Sequence, residues 1–119
     1  MKRMISLAAV FAVAATTVFA VVAYAGSTSA KTTTVKVTAK DNFRFTLSRT
    51  SAPHGKVSFV VTNKGRLKHD FAIAGKKTKM LGQNQTATLT VSLSKGKHPY
   101  KCTVPGHAAA GMKGTFKST

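Results

Sequence analysis

From Thr32 onward the chain alternates apolar and polar residues with a period of two. Val35 and Val37 interleave with Thr34, Lys36 and Thr38, and Phe43 and Phe45 with Arg44 and Thr46. Val57, Phe59 and Val61 alternate with Ser58, Val60 and Thr62, and Leu89, Val91 and Leu93 sit between Thr88, Thr90 and Ser92. Phe71 and Ile73 form a shorter run, and Phe116 stands between Thr115 and Lys117 near the end. Side chains of a strand point alternately to opposite faces, so this period with β-branched and aromatic residues predicts strands buried on one side. Turn-forming groups separate the runs: Pro53-His54-Gly55, Asn63-Lys64-Gly65, Ala74-Gly75, Leu81-Gly82-Gln83-Asn84, Lys95-Gly96 and Pro105-Gly106. No stretch of 33–119 keeps an apolar period of 3.6 long enough for a helix. About seven short strands punctuated this way predict an all-β fold, an antiparallel β-sandwich with Greek-key connections. Pro99, which cannot donate to a ladder, predicts a strand start or an edge position just ahead of Cys102.

The amino-terminal part reads differently. Lys2 and Arg3 precede an almost wholly apolar run from Met4 to Ala25, and Ala23-Tyr24-Ala25 has the small-x-small pattern a signal peptidase requires. Residues 1–25 are therefore expected to be a signal peptide or, since about 20 apolar residues span a bilayer, a membrane anchor through residues 4–25. Residues 26–32 are small and polar and read as a flexible lead-in to a single domain over 33–119. Either fate of the leading segment places that domain outside the cytoplasm: periplasmic, cell-surface or extracellular.

Charge narrows the partners. Against 19 Lys and Arg the chain has only two acidic residues, Asp41 and Asp70, for a formal net charge of +17. Such a field steers encounters with anionic surfaces. Nucleic acid is not expected, because export, the lack of Trp and the lack of a basic helix argue against it. Acidic partner proteins are expected, with anionic lipid headgroups or a polyanionic cell wall as further surfaces. The chain is expected to act as a monomer.

Cysteine use adds a third constraint. An exported domain of this size commonly carries disulfides, yet Cys102 is the only cysteine. An unpaired thiol in an oxidising compartment is at risk unless something holds it, and its neighbours suggest what does. Cys102, His107 and Met112 are spaced five and five within a segment containing Pro105, Gly106, Gly111 and Gly114, and His69 lies 33 residues upstream of Cys102. One thiolate, two imidazoles and a thioether are the donors of a blue-copper site. Thiolate and thioether favour Cu(I), imidazole accepts both oxidation states, and a trigonal arrangement suits neither fully. The ion then changes charge with little movement of its ligands. His54 and His98 have no partners at ligand spacing and are expected in solvent, and Met80 is expected in the core. The small residues around His107 (Pro105, Gly106, Ala108, Ala109, Ala110) would leave a flat, uncharged patch if its ring edge reaches the surface.

The run Cys102-Thr103-Val104-Pro105-Gly106-His107, with Met112 beyond it, resembles the carboxy-terminal motif of the cupredoxins, the blue type 1 copper proteins that include plastocyanin, azurin and auracyanin. Asn63 through Phe71 is similar to that family's first-histidine strand. The resemblance covers the chain from about Thr33 to its end. It implies a Greek-key sandwich, equatorial ligands His69, Cys102 and His107, a weak axial Met112, and transfer of single electrons between redox partners. Two positions depart from the pattern. The interval from His107 to Met112 is one residue longer than in azurin, and Asp70 stands where many relatives have Asn. No further histidine-rich motif is present, so the chain is expected to be an electron carrier rather than an enzyme. The same residues would also serve a copper delivery or storage module of the cell envelope.

Overall fold

The computed structural model describes residues 31–119. The signal or anchor expected over 1–25, and most of the lead-in, lie outside those residues. Nine strands follow in order: β1 Thr33–Lys40, β2 Arg44–Leu47, β3 Ser51–Ala52, β4 Gly55–Asn63, β5 Ala72–Ile73, β6 Lys76–Lys77, β7 Thr86–Leu93, β8 Gly96–Lys101 and β9 Lys113–Ser118. They form two sheets, a four-stranded one in the order β2-β1-β4-β7 and a five-stranded one in the order β3-β9-β8-β5-β6. No helix occurs among the described residues, and none there is long and apolar enough to cross a membrane.

The alternation in the sequence is the alternation of the fold. Along β4, Val57, Phe59, Val61 and Asn63 are buried while the residues between them are half-buried. Val57, Phe59 and Val61 meet Phe71, Ile73, Tyr100 and Phe116 of the second sheet in one core cluster. Aromatic edges interlock there: Phe59 and Phe116 have ring centroids 5.2 Å apart at 81°, and Phe45 and Phe71 5.2 Å apart at 87°. Full burial of Phe59, Phe71 and Phe116 contributes about 1.5–3 kcal/mol each, and edge-to-face contact adds to it. On the outer side of β4 and β7 the hydroxyls pair instead, Ser58 with Thr90 at 2.8 Å and Thr62 with Thr86 at 2.9 Å.

The sandwich is as expected, with two differences of detail. Two pairings, β1 with β4 and β3 with β9, are parallel. After β2 the chain leaves for the second sheet to make β3, so β4 returns beside β1 running the same way. A period of two is identical in parallel and antiparallel strands and cannot carry that information. Phe43 belongs to the turn before β2 rather than to the strand, and adopts a left-handed φ of 59°. Pro99 sits inside β8, opposite Thr115 of β9, yet β5 pairs with β8 only at Tyr100 and Lys101. At Pro99 the strand is therefore locally an edge, as its missing N–H requires.

Candidate metal centre

Cys102 follows the last residue of β8 and Met112 precedes the first of β9, so the segment between them is the loop that joins two paired strands at one end of the sandwich. The loop is closed by its own backbone. The Cys102 N–H donates to the Met112 carbonyl at 3.1 Å, and the Met112 N–H donates to the His107 carbonyl at 3.0 Å. Between them the chain coils tightly, with His107 N–H on the Val104 carbonyl and Gly111 N–H on the Ala108 carbonyl. Arg44 holds the loop from β2, its Nη1 donating to the carbonyls of Phe43 and Ala110 at 3.0 and 3.2 Å. Gly111 permits this approach: its φ is +116°, and a Cβ there would lie 1.9 Å from Arg44 Nη1.

His69 comes to the same end from the other direction. It lies ahead of β5 in an isolated bridge with Leu81, each donating its N–H to the other's carbonyl at 3.1 and 2.8 Å. Asn63, fully buried at the end of β4, organises the intervening loop. Its Nδ2 donates to the carbonyls of Leu67 and Leu81, both at 2.8 Å, and its Oδ1 accepts from the Gly65 N–H at 2.8 Å. Every polar group of the Asn63 side chain is thereby engaged, which is what makes its burial tolerable.

The two acids of the chain both serve this site. Asp41, in the turn between β1 and β2, accepts the Arg66 and Leu67 N–H groups at 2.6 and 3.1 Å and lies 3.0 Å from His69 Nε2. The Arg66 amide, then the His69 contact, hold its carboxyl below the usual 3.8. As an ionised carboxylate, Asp41 accepts a hydrogen bond from His69 Nε2–H, which leaves the lone pair on Nδ1. Asp70 is buried, and its oxygens accept the Thr103 N–H at 2.6 Å and the Thr103 hydroxyl. It ties the residue after Cys102 to the residue after His69, so the position that departs from the cupredoxin pattern still steadies the loop.

Three donor atoms converge. His69 Nδ1 is 4.0 Å and His107 Nδ1 3.6 Å from Cys102 Sγ, and the three lie within 4.8 Å of one another. A first-row ion with nitrogen at about 2.0 Å and thiolate sulfur at about 2.3 Å in a trigonal plane would hold N and S roughly 3.8 Å apart. A thiol has one proton and can satisfy one imidazole lone pair, whereas two face this sulfur. A cation bound between them engages both. Met112, fully buried, packs with Cys102 and Ala39, and Phe43, Phe45 and Val104 close that apolar shell.

Burial pushes the Cys102 thiol above its ordinary 9.0. Burial, reinforced by the neighbouring His69, draws His107 below 6.5, so its imidazole is neutral and able to ligate near neutral pH. His69 and Cys102 are sealed from solvent while His107 is half-exposed, its ring meeting Phe43 edge-on at 5.0 Å. Pro105, Gly106, Ala109 and Ala110 are exposed beside it, an uncharged surround for its outer edge.

All four residues predicted as ligands thus come to one end of the sandwich. His54 and His98 do not, each bonding a backbone carbonyl elsewhere, Thr119 and Ser94 respectively. Met80 is 44% exposed rather than in the core, and its neighbour Leu81 is the buried residue. Sequence reasoning missed Asp41 and Phe43. The scarcity of acids was the available indication, since both carboxylates of a strongly basic chain sit against the site.

A family model described as a cupredoxin-like domain matches residues 4–115. Among solved structures, reduced auracyanin from Roseiflexus castenholzii aligns with a TM-score of 0.65 at 22% identity, over 73% of this chain and 97% of that one. Rusticyanin from Thiobacillus ferrooxidans aligns with a TM-score of 0.64 at 23% identity, over 76% of this chain and 79% of that one. Auracyanin A from Chloroflexus aurantiacus, described as a blue copper protein, aligns at 0.63 and 17%, over 75% and 100%. Likeness at these identities establishes the fold. A search of curated proteins finds no match.

Proposed function

The chain belongs to the cupredoxin-like family, and on that premise we propose that it binds one copper ion and carries single electrons between redox partners. The observation that supports this most directly is the convergence of His69 Nδ1 and His107 Nδ1 on Cys102 Sγ beside a buried Met112. In this reading His69, Cys102, His107 and Met112 would hold the ion, the thiolate and the two imidazoles as strong donors and the thioether as a weak one. Copper held by such donors supplies a reversible one-electron couple of the type 1 kind.

The protein's own part is to keep the donors still while the charge changes. Asp41 fixes the tautomer and orientation of His69, Asp70 fixes Thr103 beside Cys102, and the Cys102–Met112 backbone bond fixes both ends of the loop. The apolar shell keeps water from the sulfur and so influences the potential. His107, with its half-exposed ring and uncharged surround, is the exit for the electron. Pro105, Gly106, Ala109 and Ala110 offer a partner an uncharged contact there, with the Arg44 guanidinium at its margin, which suits a brief encounter.

Residues 1–25 are assigned to export, as a cleaved signal peptide or a retained anchor, placing the domain over 33–119 in the periplasm, at the cell surface or outside the cell. The whole chain carries a net charge of +17 with both of its acids at the metal centre, and its partners are acidic proteins. It acts as a monomer and a carrier rather than an enzyme.

Challenge with excess Cu(I) chelator during repeated one-electron cycling separates carriage from delivery. A carrier returns to full optical amplitude after each cycle with its copper retained. Copper lost to the chelator within the first cycles would make this a delivery or storage module.

A further inference from the structure

The outer face of the five-stranded sheet carries a second, unassigned feature. The register of β8 and β9 sets Lys101 directly opposite Lys113 and Lys97 directly opposite Lys117. Across β5, where Ala72 faces Lys101, the same row continues to Lys77 of β6. All five lysines are exposed. Between the two lysine rows lie Pro99 and Thr115, and an open groove of about 940 Å³ runs over this face, lined among others by Ala72, Lys77, Pro99, Lys101, Lys113 and Thr115.

Like charges directly opposite on paired strands are destabilising. The other sheet has one such pair at its edge, Lys40 opposite Arg44, whose guanidinium is held by the Phe43 and Ala110 carbonyls; elsewhere its outer positions pair hydroxyls, Ser58 with Thr90 and Thr62 with Thr86, and Lys56 faces Ser92. The chain's two carboxylates, Asp41 and Asp70, are engaged at the metal centre and neutralise none of the five. The face therefore holds an arrangement that costs stability unless something anionic covers it.

We propose that this lysine face is the docking surface for an acidic protein, the redox partner; the inference rests on the electron-carrier reading above. Charge complementarity names the chemistry, carboxylates on the partner. The shape of the patch indicates a folded protein rather than a linear polymer. The rows lie four residues apart, about 13 Å, and one row crosses four strands, about 14 Å, a two-dimensional patch where a single polyanion would follow one line. Its place in the fold connects it to the site, because Lys101 is bonded to Cys102. A partner seated here lies over the covalent route to the thiolate, on a different surface from the His107 edge.

The test uses ¹⁵N-labelled protein titrated with a helical bundle bearing a glutamate-covered face, with inorganic polyphosphate as a second arm. Amide shifts on β8, β9 and β6 are expected to report the bundle. The pair Lys101→Glu with Lys113→Glu should weaken it at least tenfold. Lys36→Glu with Lys56→Glu, on the other sheet and with the same change in net charge, should weaken it less than threefold. Should the charge-reversed pair not fold, Lys101→Gln with Lys113→Gln makes the same comparison against Lys36→Gln with Lys56→Gln. Equal loss from both pairs would overturn the proposal, leaving only a diffuse field. Binding of polyphosphate on this face without binding of the bundle would overturn it as well. The readout is amide shifts and needs no copper, so failure of docking and failure of the copper reading are separate results.

Discussion

Asp41 Oδ1 lies 3.0 Å from His69 Nε2, the one carboxylate–imidazole pair among the described residues. The carboxylate sits behind the imidazole, on the nitrogen that does not face the sulfur. It orients the ring and places negative charge one residue from the candidate metal site. Removing it should weaken the oxidised ion more than the reduced one. Asp41→Ala is expected to lower Cu(II) affinity about 10–100-fold and to raise the reduction potential. Competition titration and redox potentiometry read the two effects. Unchanged affinity with an unchanged potential would show that Asp41 only shapes its loop.

Gly65 provides an independent check on the same contact. A Cβ at Gly65 would lie 2.0 Å from Asp41 Oδ1, so the carboxylate reaches the Arg66 and Leu67 amides only because that position is glycine. Gly65→Ala should displace Asp41 and reproduce the direction of both Asp41→Ala effects without touching a titratable group. A Gly65→Ala protein with the parent's potential would mean that Asp41 can hold His69 from another position.

Asp70 should matter to stability before it matters to redox chemistry. Asp70→Ala leaves the Thr103 N–H and hydroxyl without their acceptor, a loss of about 1–3 kcal/mol. For a domain of this size each kcal/mol lowers Tm by about 4–8 °C. Thermal unfolding of the metal-free protein measures it, and an unchanged Tm would show that Thr103 finds other partners.

The candidate donor set was legible because three of its members are local. Cys102, His107 and Met112 stand on one loop whose spacing is written in eleven residues of sequence, and a loop between paired strands brings its ends together whatever its detail. The strands were legible for a similar reason, since alternation needs only neighbours. Asp41 was not. It reaches His69 across 28 positions, through a turn whose left-handed Phe43 no pattern announces and past a Gly65 that reads as an ordinary turn residue. Strand direction was hidden too: β1 and β4 alternate alike whether they run together or opposed, and only the excursion through β3 decides. The lysine pairs of β8 and β9 depend on register, which the turn-rich stretch between Lys101 and Lys113 does not reveal.

Metal uptake should depend on pH in a definite direction. In the metal-free fold the thiol of Cys102 is raised above 9.0 and His107 is lowered below 6.5. Near neutral pH the thiol is therefore protonated and the imidazole neutral, and binding copper as thiolate releases about one proton per ion. The same shifts set the stability of the metal-free fold. A thiol whose folded pKa is raised gives stability that is full below 9.0 and declines as pH rises past it. A histidine whose folded pKa is lowered gives stability that is full above 6.5 and declines as pH falls. Calorimetric titration in buffers of different ionisation enthalpy counts the proton. Release of none would mean that the thiol is already ionised or is not a ligand.

The measurement closest to the central claim is the visible absorption and electron paramagnetic resonance spectrum of the protein loaded with Cu(II), beside folded Cys102→Ser. The account predicts an intense blue thiolate-to-copper band with narrow hyperfine splitting, both lost in the variant. A colourless protein, a wide splitting, or a band that survives Cys102→Ser would contradict it.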